Sequence, residues 1–169
     1  MRIRTALQQS WARVDSLPSH YIEHYGDLIF DLCEAALFSP AQAQIAYRII
    51  LKKIRAQTLS KPFSKYERAW VLRIAAKTLI ELHQEHGTQS SAQEQLQLDS
   101  EADINVRLKH FDYYFKRLPI ENQILLLLNS KHHLNLAEIA MILNTPEGSL
   151  KIKHQQSLSI LEEWLWKTQ

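Results

Sequence analysis

Cysteine occurs once, at position 33, so the chain closes no internal disulfide and holds no CxxC pair for zinc or redox chemistry. Glycine is almost as scarce. Three glycines in 169 residues leave few sites for hairpin turns and none of the glycine clusters that cradle phosphates. The longest aliphatic run, residues 124–128, falls far short of a membrane span. The first eleven residues are too polar to form the apolar core of a signal peptide. A formal net charge of +2 is too small to advertise nucleic-acid binding by itself. No serine–histidine–acid set stands out. The expectation is a protein of the reducing cytoplasm with no membrane insertion, no cofactor, no metal and no catalytic activity.

What the chain does have is apolar residues, 46% of the total, recurring at helical spacing almost throughout. Ile3, Leu7, Trp11 and Val14 mark a short amphipathic helix. Tyr21, Tyr25, Leu28, Leu32 and Ala36 form one stripe that ends near Phe38. Ser39-Pro40 opens the next helix, because proline at the first helical position sacrifices no hydrogen bond. Ser64 and Glu67 read as a capping box for a helix carrying Trp70, Ile74, Thr78 and Leu82. Later, Phe111, Phe115 and Leu118 share a stripe, Pro119 opens a helix over residues 120–129, and Thr145-Pro146 starts a last long helix to about Lys167. Nothing reads as a strand, so the expected class is all-α.

Charge divides the chain. Residues 1–86 hold 12 Lys/Arg against 8 Asp/Glu, and residues 104–169 hold 8 against 6. Residues 87–103 between them carry four acids, no base and no periodicity. The pattern predicts two small helical domains, 1–86 and 104–169, joined by a flexible acidic linker at 87–103.

Within the second domain, residues 136–150 have the grammar of a DNA-reading helix-turn-helix. Asn135 and Glu138 resemble a capping pair. Ala140 is small where two helices must approach, and Ile139, Leu143 and Leu150 can form the joint between them. Asn144 stands where the chain leaves the first helix, and asparagine tolerates the left-handed conformation better than most residues. The final helix would offer Ser149, Lys151, Lys153, Gln155 and Gln156 to a duplex, lysine attracting phosphates and glutamine pairing with adenine edges.

These residues, in this order, resemble region four of the extracytoplasmic-function sigma factors. That region runs leucine-proline, an aliphatic helix, Glu-Ile-Ala, a turn with proline, then Gly-Thr-Val-Lys. Here Leu118-Pro119, residues 124–128, Glu138-Ile139-Ala140, Pro146 and Gly148-Ser149-Leu150-Lys151 fall in that sequence. Residues 25–86 are similar to the family's region two, most clearly in Trp70-Val71-Leu72-Arg73-Ile74-Ala75. The chain departs from the family's pattern at Gln44–Arg48, Ala76-Lys77, Glu81, Gln84-Glu85, His154 and Gln156.

The resemblance implies a sigma factor that docks on core RNA polymerase through Gln44, Tyr47, Arg48 and Lys52. It implies that Phe63 and Tyr66 stack on unpaired bases of the promoter's downstream element, with Lys65, Arg68, Arg73 and Lys77 holding backbone phosphates. Region four would grip the upstream promoter element. The implied partners are core RNA polymerase, promoter DNA and an anti-sigma factor. Two other readings stay open: a sigma-like interaction protein that occupies a partner without full promoter activity, and a plain helix-turn-helix regulator. His20, Glu23 and His24 match the H-x-x-E-H zinc-peptidase pattern, but so short a motif arises easily among eight histidines. His83, His86, His132 and His133 read as solvated boundary residues, and Cys33 as a core residue.

Overall fold

The computed structural model describes residues 19–37, 39–58, 66–86 and 104–167, and these are all helix, turn or short connection. Helices α1 (Ser19–Ala36), α2 (Pro40–Thr58) and α3 (Glu67–His86) form a first group. Helices α4 (Ile104–Arg117), α5 (Ile120–Leu126), α6 (Leu136–Leu143) and α7 (Glu147–Lys167) form a second, with a π-helical turn, Leu127–Lys131, after α5. The expected helix marked by Ile3, Leu7, Trp11 and Val14, the proposed cap at Ser64 and the acidic segment 87–103 lie outside the described residues.

Local chemistry sets the helix ends. Pro40 opens α2, as the sequence predicts, and the Ser39 carbonyl accepts from Ala43 N. Asn135 and Glu138 make a full capping box: the Asn135 side chain accepts from Glu138 N, and the Glu138 carboxylate accepts from Asn135 N. The corner between α4 and α5 is held by Gln123, whose buried amide donates to the carbonyls of Lys116 and Leu118. Those carbonyls belong to the end of α4 and its corner, where intrahelical amide partners run out.

The predicted helix over 120–129 is α-helical only as far as Leu126. Beyond it His132 N donates to Leu127 O, five residues back, and Leu134 N donates to Leu128 O. His133 takes a left-handed φ of 55°, and the Asn129 side chain donates to Leu134 O. One extra residue per turn is the signature of a π bulge.

A single hydrophobic core runs through both groups. Ile29, Leu32, Ile50, Leu51, Ile54, Leu72 and Leu79 from the first join Ile124, Leu125, Leu128, Leu134 and Ile139 from the second. Helix α3 is the shared wall: it packs on α1 and α2 and, on its other side, on α5 and α6. That double duty explains why Val71, Leu72, Ile74, Ala75, Ala76, Thr78 and Leu79 are all buried, more than one amphipathic stripe would hide. A smaller cluster of Phe115, Leu118, Leu126 and Leu161 ties α4 to α7, reinforced by the Tyr114 and Trp164 rings at 5.4 Å.

Candidate nucleic-acid interface

Helices α6 and α7 meet at a turn built for a sharp change of direction. Asn144 adopts the left-handed conformation, φ 51° and ψ 46°, and its N–H donates to Ala140 O. Thr145 N reaches the same carbonyl at 3.1 Å. Ile139 and Leu150 are fully buried at the joint, with Leu143 and Ala140 packed beside them. The geometry is that of a helix-turn-helix, with α7 in the position of a reading helix.

One face of α7 points outward. Ser149, Lys151, Gln155 and Gln156 are exposed on it. Lys153 is half-buried, and its Nζ pairs with Glu121 of α5 at 2.6 Å, so it ties α7 to α5. The outer face also carries two aliphatic residues that the sequence reading passed over: Ile152, 57% exposed, and Leu158. Their positions, interleaved with the glutamines, were the available signal. Gly148, in the first turn, has open space where a Cβ would stand, so nothing in the fold requires glycine there.

The first group presents the other expected contacts unevenly. Arg48 and Lys52 are exposed on α2, Gln44 is half-buried, and Ile45 beside them is 58% exposed. Tyr47 is not on this surface. Only 3% exposed, it packs edge-on to Phe30, and its hydroxyl lies 3.1 Å from where a Cβ on Gly26 would be. It closes the α1–α2 crossing, and burial pushes its phenol up to about 12. Tyr66, just before α3, and Arg68, Arg73 and Lys77 on it are exposed, with Lys77 near Glu81. Phe63 and Lys65 lie outside the described residues. Glu81 is held below the usual carboxylate range by its hydrogen bond from Lys53 at 2.8 Å.

His132 is not a solvated boundary residue. Its ring is largely buried, and Nε2 stands 3.4 Å from Asp31 Oδ2, an oxygen that also pairs with Lys131 at 2.8 Å. Burial pulls the imidazole below its ordinary range; Asp31 opposes this, while Lys131, Arg68 and His133 push it further down. A histidine whose folded pKa is lowered binds its proton more readily when unfolded. Its stabilising contribution is therefore complete above the unfolded value, about 6.5, and lost as pH falls through that value toward the folded one. Urea unfolding at pH 7.5 and pH 5.5 should show lower stability at the acid value. His132→Asn should remove that part of the difference, and an unchanged pH slope in the variant would assign the effect elsewhere.

Among the described residues no three His, Cys, Asp or Glu side chains come together as a metal site; Glu23 and His24 are both exposed on α1. No described helix is long and apolar enough to cross a membrane. Cys33 is fully buried, and desolvation pushes its thiol up to about 12.

No family model matches the sequence, and no curated protein does so. Among solved structures, the chain is similar to the sigma factor RpoE in its complex with the anti-sigma factor NepR from Bartonella quintana. The likeness covers 87% of this chain and 95% of that one, with a TM-score of 0.67 at 16% identity. The chain has the fold of an extracytoplasmic-function sigma factor. In that fold α1–α3 correspond to the region-two bundle and α4–α7 to the region-four helix-turn-helix, the two helical units that the sequence predicts.

Proposed function

We propose that the chain is a sigma factor: it binds core RNA polymerase and directs promoter recognition and transcription initiation. One observation carries this reading, the helix-turn-helix of α6 and α7 with its capping box, left-handed Asn144 and outward polar face. The sigma-factor fold supplies the context in which such an element would act.

In this reading residues 1–86 form the polymerase-binding and strand-capturing unit, residues 87–103 a linker, and residues 104–169 the duplex-binding unit. Arg48, Lys52 and the exposed Ile45 would face the polymerase. Arg68, Arg73, Lys77 and Tyr66 would face the downstream promoter strand, together with Phe63 and Lys65. Ser149, Lys151, Gln155 and Gln156 would face the upstream duplex, where an exposed aliphatic such as Ile152 suits a thymine methyl. The matched sigma factor is held by an anti-sigma factor, which supports a partner of that class here.

A second reading, a sigma-like protein that occupies a partner without initiating transcription, is favoured by the thin basic face: Lys153 is tied to Glu121, and Glu147 stands in the first turn of α7. Co-purification with core polymerase, followed by transcription from a promoter library, separates the two. Core binding with transcripts supports the first reading, and core binding alone the second. Arg48→Glu with Lys52→Glu is expected to weaken core binding at least tenfold, since reversing charges at an interface places like charges together. Unchanged affinity would remove α2 from that interface.

A further inference from the structure

We infer that Glu121 is a restraint on DNA affinity: it holds Lys153 at the edge of the outward face of α7 and keeps that lysine off the duplex backbone. This role rests on the proposed duplex binding by α7, and it names the residue that limits the helix's pull on phosphates.

Helical spacing puts Lys153 among outward-facing residues. It follows Ser149 by four positions and precedes Gln156 by three, and both are exposed, as is Ile152 beside it. A lysine so placed on a reading helix lies within reach of a phosphate at the edge of the groove. Its Nζ turns instead to the Glu121 carboxylate at 2.6 Å, across 32 positions of sequence. The two side chains are 37% and 47% exposed, so the pair sits at the rim of the α5–α7 contact and not inside it.

The backbone on each side of the pair is fixed. Glu121 stands in the first turn of α5 between Ile120 and Ile124, both buried, beside the corner that Gln123 holds. On α7, Leu150 and Ser157 are buried, and the Ser157 hydroxyl donates to Lys153 O at 2.7 Å. What remains free to move is the lysine stem, which can take its ammonium to the carboxylate or to a phosphate. An ammonium that stays with a carboxylate brings no net charge to the duplex and displaces no counterion from it. Phosphate attraction is common to every DNA sequence, whereas base contacts are not. Glu121 therefore lowers the attraction that all duplexes share and leaves the contacts expected of Gln155 and Gln156 unchanged.

The test uses the full chain bound to core polymerase, with a duplex that the parent selects from a random-sequence library and an unrelated duplex. Glu121→Gln keeps the shape of the side chain and frees the lysine. It should bind both duplexes about two- to fivefold more tightly, the range for releasing a partly exposed ion pair. Its salt slope should steepen by about one unit. A scan of neutral methylphosphonate linkages along the selected duplex should show one more sensitive phosphate for Glu121→Gln than for the parent. Combining Glu121→Gln with Lys153→Gln restores the parent's net charge and should restore its affinity, slope and scan. No gain for Glu121→Gln, or a gain without an added phosphate in the scan, overturns the inference. So does a double variant that binds more weakly than the parent and lacks a phosphate the parent uses, because Lys153 would then touch DNA in spite of Glu121. In each of those cases the sigma-factor reading stands. If the parent does not bind core polymerase, or selects no duplex once bound, that reading falls, and the role given to Glu121 falls with it.

Discussion

Shortening Ile139 to alanine is expected to cost about 2–5 kcal/mol, the range for truncating a fully buried isoleucine where the surroundings relax only in part. Ile139 is 0% exposed and belongs to the core shared by both helical groups. Its loss should therefore be felt on both sides of the joint. Hydrogen exchange should show α3 and α6 amides losing protection together, because α3 packs directly on α6. Denaturant titration gives the size of the loss. Leu161→Ala is the contrast, since Leu161 lies in the smaller cluster between α4 and α7 and its loss should spare the amides of α2 and α3. Independent melting of the two groups in the Ile139 variant would contradict the common core.

The helices and their ends were largely legible because their signals are local. Pro40, the Asn135–Glu138 box, the left-handed Asn144 and the start of α7 after Thr145-Pro146 each follow from residues within a turn of one another. The rest depends on partners distant in sequence. The stripe through Trp70 and Ile74 announces a buried face, but says nothing of the second face that α3 gives to α6. Lys153 reads as a DNA contact until Glu121, 32 positions away, is seen to hold it. Tyr47 reads as a surface residue until Gly26 is found to leave room for its hydroxyl. The π turn has no sequence signal of comparable clarity, and His132 is drawn toward Asp31 only once that turn has formed.

These misses share a cause that bears on function. A long polar side chain on a helix is free to serve either the fold or a ligand, and spacing alone does not distinguish the two. Of the two lysines assigned to the duplex, one braces α5 and the other stays exposed. Of the region-two arginines, Arg73 caps α6. The outward face of α7 is consequently more polar than basic: one exposed lysine, two glutamines, a serine and two exposed aliphatic residues, Ile152 and Leu158. Against DNA such a face would discriminate among bases better than it would attract phosphates. Under the proposed sigma-factor function, affinity would then come mainly from a second attachment, to the polymerase.

That division leads to the last expected result. Lys151→Ala should weaken duplex binding about equally on every sequence and reduce the salt slope by about one unit, as loss of one phosphate contact requires. Gln155→Ala or Gln156→Ala, whichever reads a base edge, should cost about 1–3 kcal/mol on the preferred site and little elsewhere. Both measurements are best made on the full chain bound to core polymerase, using duplexes selected from a random-sequence library. Replacing thymine by uracil in the selected site removes one methyl group. If Ile152 packs on that methyl, the parent should bind the uracil site more weakly, and Ile152→Ser should no longer tell the two apart. Should Lys151, Gln155 and Gln156 all prove replaceable without effect on binding or on the salt slope, α7 does not read DNA, and the face it presents belongs to a protein partner instead.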